Sequence, residues 1–174
     1  MKRCLMLAAL SLSMFFLPHA VRADEKVNPA FDAWTRYTVG SSATYENTTD
    51  SPQGHSSTTI SITLLEKADD HVVVETSQMT MVIAGQSHTI PPQKQTIPAA
   101  PDPAKAETEI GSEDVTAAGQ TFHCKIYTPA HPRSGVMGQI KIWATKDVPG
   151  GAVKIEINSG PMKISQLLKS FEAK

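Results

Sequence analysis

After Trp34 the helical period disappears, and apolar and polar residues alternate one by one through most of the remaining chain. A period of two sends successive side chains to opposite faces of a strand, so it constrains this chain to a sheet with one buried face. Ile60, Ile62 and Leu64 alternate with Ser61 and Thr63. Phe122, Cys124 and Ile126 alternate with His123, Lys125 and Tyr127, and Ile140, Ile142 and Ala144 with Lys141, Trp143 and Thr145. Val153, Ile155 and Ile157 alternate with Lys154 and Glu156.

The alternation and the turn residues between its segments predict strands over 36–48, 57–67, 71–84, 87–97, 107–117, 120–127, 139–145, 152–158 and 162–172. Gly40 reads as a bend, and the apolar parity changes near 76–78, which predicts a bulge or twist there. Pro91-Pro92 removes two backbone donors, so the fourth strand lies at an edge or is broken. The run from Pro98 to Pro103 is a stiff connector expected to cross one end of a shared sheet. Pro149-Gly150 is a type II turn signal, because glycine accepts the positive φ of the second central position. Ahead of the strands, Asn28 to Trp34 predicts a short helical turn: Pro29 suits a first helical position, and Phe31 and Trp34 form an apolar plug. Eight or nine strands at even spacing predict an all-β fold, a strongly curved antiparallel sheet or half-open β-barrel.

The first 23 residues read as a signal peptide. Met1-Lys2-Arg3 is a positive start, 4–17 is mostly apolar, and Val21-Arg22-Ala23 offers a cleavage site after Ala23. The apolar run is shorter than the roughly 20 residues of a membrane span. Residues 24–174 are then a single β-rich domain, periplasmic or otherwise exported. Cleavage removes three of the 16 basic residues and none of the 17 acidic ones, leaving a mildly acidic domain with no basic stripe and no electrostatic basis for a nucleic-acid partner.

Cys124 is the only cysteine after the leader, so no internal disulfide forms. It sits between Phe122 and Ile126 on the apolar face and reads as an inert core thiol. His123 lies beside it on the opposite face, which excludes a direct nucleophile–base pair. No G-x-S-x-G, HExxH or phosphate-binding glycine loop is present. Asp69, Asp70 and His71 read as a solvated turn, and the same-parity carboxylates Glu107, Glu109 and Glu113 as a solvated face. No catalytic set, metal site or cofactor is expected, and the reading leans away from an enzyme.

A curved sheet of this size can keep its concave face as an apolar cleft. The candidate ligand-binding residues are Ile62, Leu64, Met79, Met81, Ile140, Ile142, Val153 and Ile155, with Ile60 and Ile83 beside them; the alternative is that these residues form a filled core. Three segments, Gly119-Gln120-Thr121-Phe122-His123-Cys124-Lys125, Ile140-Lys141-Ile142-Trp143 and 148–156, resemble exported periplasmic lipoprotein carriers of the LolA/LppX type over about the last third of the chain. The resemblance implies a half-open β-barrel that shelters acyl chains, often under a helical lid, although this sequence lacks clear lid helices; it carries over no functional residue. The expected function is a non-enzymatic exported domain binding a lipid, acyl chain or other hydrophobic ligand. The rivals are an envelope protein-interaction module using a sheet edge within 87–97 and, third, a hydrolase.

Overall fold

A computed structural model describes residues 27–52, 54–77, 79–83, 86–102, 107–129 and 138–174. The segment read as a signal peptide lies outside the described residues. The chain begins with helix α1 (Pro29–Thr35) and continues as strands β1 (Ser42–Ser51), β2 (Gly54–Lys67), β3 (His71–Thr76), β4 (Met79–Ile83), β5 (Gln86–Ile90) and β6 (Gln93–Pro98). After the connector come β7 (Glu107–Ala117), β8 (Gln120–Pro129), β9 (Gln139–Ala144), β10 (Ala152–Ser159) and β11 (Met162–Glu172).

Nine strands form one antiparallel sheet in the order β6-β3-β2-β1-β11-β10-β9-β8-β7, and β4 and β5 pair separately. The expected strand over 71–84 is therefore two strands, parted where the parity changes. The one over 87–97 is also two, parted at Pro91-Pro92, and its second half, β6, is the sheet edge. The first strand begins at Ser42 rather than 36, because Val39-Gly40 is a turn in which Gly40 takes φ 90°.

The topology itself forces curvature. The chain meanders outward from β1 to the β6 edge, then enters the opposite edge at β7 and meanders back to β11, which pairs with β1 at the centre. Nine flat strands at about 4.8 Å spacing would set the edges about 38 Å apart. From Pro98 to Glu107 a fully extended chain spans only about 30 Å. The connector cannot cross a flat sheet, so the sheet curls, and β7 returns against β10 and β11. Bulges at Thr44/Tyr45, Leu64/Glu66, Glu109/Gly111 and Ala152/Lys154 add local twist.

Two apolar clusters hold the described fold together. One joins Tyr45, Phe122, Cys124, Ile140, Ile142, Val153, Ile155 and Leu168 across β1 and β8–β11. The other packs Ala30, Phe31 and Trp34 of α1 on Leu64, Val72, Val74 and Ile97. The plug expected from Phe31 and Trp34 is present, and its anchoring is clear. Asn28 caps α1 by accepting from the Ala30 N–H at 3.0 Å, and its side-chain amide donates to the Pro98 carbonyl at 3.0 Å. At the other end Trp34 lies against Gly150, whose missing Cβ would stand 2.9 Å from Trp34 Cζ2. The helix thus bridges the β6 edge and the β9–β10 turn. That turn is closed as expected, with the Gly151 N–H donating to the Val148 carbonyl at 2.8 Å and Gly150 at φ 77°.

Candidate functional site

The register defines which side chains share the concave face. Partners across an antiparallel pair point the same way. One continuous row runs Thr58 (β2), Asn47 (β1), Gln166 (β11), Ile155 (β10), Ile142 (β9), Tyr127 (β8). A neighbouring row holds Ser56, Thr49, Ile164, Ile157 and Ile140. On the other side lie Ile60, Tyr45 and Leu168, then Thr76, Ile62, Ala43 and Phe171. The face is apolar over β9 and β10 and polar toward the β1–β2 turn.

The sequence candidates divide along these rows. Ile140, Ile142, Val153 and Ile155 come together in the first cluster, with Ile142 and Val153 fully buried. Leu64 is fully buried beneath α1 in the second cluster, and Ile62 touches both clusters while staying partly exposed. Met79 is buried on β4, off the main sheet, where β4 packs near β2. Met81 stands opposite His88 on the β4–β5 hairpin, and its side chain is outside the described ones. The face is not fully covered: Ile62, Ile164, Tyr127 and Phe171 keep part of their surface exposed between buried neighbours.

Sequence reasoning missed the polar end. Asn47 is 7% exposed and Gln166 5% exposed, and they are direct cross-strand partners on the inward face. The Asn47 Oδ1 atom is buried without a hydrogen-bond partner, so neither Thr58 nor Gln166 donates to it. Thr76 Oγ1 is a second such atom on the same face. A signal was available: Ala43, Tyr45 and Asn47 alternate, so Asn47 occupies an inward position where an apolar residue would fit better. Tyr45 itself is satisfied, its hydroxyl donating to the Ala152 carbonyl at 3.1 Å, and burial pushes its pKa well above the usual phenol range.

The titratable groups sit elsewhere. Cys124 is fully buried, and desolvation pushes its thiol up to about 11. Glu107, Glu109 and Glu113 do not form one solvated face. Glu107 is buried, and the bulge before Gly111 turns Glu109 and Glu113 to opposite faces. Glu109 pairs with Lys125 at 3.1 Å, and Glu113 accepts from Trp143 Nε1 at 2.9 Å. Trp143, on the outward face by alternation, is buried there, with Lys154 Nζ 4.5 Å from its ring centroid. Asp50–His55, Asp70–His71 and Asp114–His123 are exposed acid–imidazole pairs at 2.6–2.7 Å. His71 is raised by its hydrogen bond to Asp70. Among the described residues no group of three or more His, Cys, Asp or Glu side chains is placed to hold a metal ion.

Comparison with solved structures places this architecture. The chain shares its fold with a Bacteroides fragilis protein described as exported, with a YmcC-like fold: TM-score 0.52, 9% identity, covering 78% of this chain and 97% of that one. The curved, half-open sheet expected from the sequence is therefore a fold seen before. A Parabacteroides distasonis protein described as a lipoprotein matches at TM-score 0.44 and 13% identity, over 78% of this chain and 96% of that one. The Mycobacterium tuberculosis lipoprotein LppX, from which the group this sequence resembles takes part of its name, matches at TM-score 0.42 and 11% identity, over 82% and 90%. No family model matches the chain, and no curated protein matches it in sequence.

Proposed function

We propose that this chain is an exported, non-enzymatic domain whose concave sheet face binds a lipid, an acyl chain or another hydrophobic group. The observation that supports this reading most is the incomplete cover of an apolar inward face: Ile62, Ile164, Tyr127 and Phe171 remain partly exposed beside buried neighbours. A sealed core would bury all four. The leader-like segment 1–23 supports export, with cleavage after Ala23.

The rival reading, a partner strand added at the β6 edge, is less well supported. Pro91, Pro92 and Pro98 flank that edge and Lys94 lies on it, features that blunt strand addition. Native mass spectrometry of the protein purified from the envelope fraction, before and after organic extraction, tests the proposal. A lipid-sized adduct released by extraction is expected. Ile164→Ser should reduce that adduct at a temperature where circular dichroism shows the variant still folded, since Ile164 is packed against the cluster but not sealed within it. A bare mass in every preparation would defeat the proposal.

A further inference from the structure

A buried carbonyl oxygen without a donor is costly, and native structures leave few of them unexplained. Asn47 Oδ1 is such an atom, on the face proposed above to hold the ligand. We infer that Asn47 is the polar anchor of that ligand, its Oδ1 accepting a hydrogen bond from an amide N–H or hydroxyl carried on an otherwise apolar chain. The inference rests on the proposed hydrophobic-ligand function and names the chemistry of the ligand.

Three features of the row support it. Asn47 lies where polar side chains meet apolar ones: Thr58 on one side, then Gln166 and Ile155 on the other. An amphiphile placed along the row would set its polar group against Asn47 and Gln166 and its chain against Ile155 and Ile142. The donor is uncharged, because the inward residues around Asn47 (Tyr45, Thr58, Ile60, Ile164, Gln166, Leu168) carry no charge, and an ammonium group buried there would lack a counter-ion. Glu46, next to Asn47 on β1, is outward by alternation and pairs with Lys169 of β11 at 2.8 Å.

The test is competitive displacement of the fluorophore N-phenyl-1-naphthylamine by two compounds differing in one donor, N-methyldodecanamide and N,N-dimethyldodecanamide. The native protein should bind the N–H compound about tenfold more tightly, the worth of one buried hydrogen bond. In Asn47→Leu the preference should vanish while fluorophore binding persists. Equal affinities in the native protein, which need no variant to measure, would overturn the inference and leave the hydrophobic-ligand reading standing. So would a preference that survives in Asn47→Leu. Failure of the fluorophore and both amides to bind the native protein would overturn both.

Discussion

Replacing Gly150 by alanine probes the contact that holds α1 across the curl of the sheet. The added Cβ meets two obstacles. The first is the backbone: φ is 77°, and a residue with a Cβ in that region costs about 1–2 kcal/mol. The second is Trp34, whose Cζ2 and Cε2 would stand at 2.9 and 3.0 Å. Trp34, on α1, is buried, so the ring can yield only by repacking, at about 1–3 kcal/mol. Together they give about 2–5 kcal/mol, or about 5–15 °C in Tm for a domain of this size. Gly119 supplies the control. Its φ is 76° and nothing lies within 4 Å of its Cβ position, so Gly119→Ala carries the backbone cost alone. Thermal unfolding followed by circular dichroism should rank Gly150→Ala clearly below Gly119→Ala, and Trp34 emission should shift to the red only in the former. Equal losses in the two variants would refute the claim that Trp34 is wedged on that turn.

Two further outcomes follow from the titratable groups. Cys124 should resist a water-soluble disulfide reagent at pH 8 in the native protein and react stoichiometrically after unfolding, since the thiol is buried and pushed up to about 11; rapid native labelling would contradict its placement. His71 is raised above its unfolded value by Asp70, so while Asp70 stays ionised their pair stabilises the fold fully below about pH 6.5 and loses effect as pH rises through the folded pKa. Asp70→Asn should therefore cost more stability at pH 5 than at pH 8 in urea titrations, and a pH-independent cost would refute the pairing.

The strands were legible wherever one face is buried and the other wet, as at Val153, Ile155 and Ile157 against Lys154 and Glu156. So was α1, because Asn28, Pro29, Phe31 and Trp34 each carry a local reason for their place. Features set by distant partners were not. The bulge at Gly111 separates Glu109 from Glu113 only because β8 fixes the register on both sides of it. Trp143 looks outward by alternation, yet Glu113 and Lys154, from strands on either side of β9, cover it. Of the expected cleft, Ile140, Ile142, Val153 and Ile155 were visible as an apolar set. The polar row was missed because the Ala43, Tyr45, Asn47 alternation marks a face, while its burial depends on β2 and β11 being placed beside it.

The central pair of strands has a consequence for the order in which the domain can form. Ser42 lies opposite Glu172, so the seam of the sheet joins β1 to β11, the first and last strands among the described residues. Each meander can assemble from neighbours in the chain, but the seam must wait for the whole length between them, and closing so long a loop is entropically costly. Such non-local pairing is associated with slow folding, on the scale of milliseconds to seconds. A chain lacking β11 would leave the inner edge of β1 unpaired, and exposed edges of that kind recruit other chains. Strand β11 thus joins the two halves and withholds β1 from neighbouring chains.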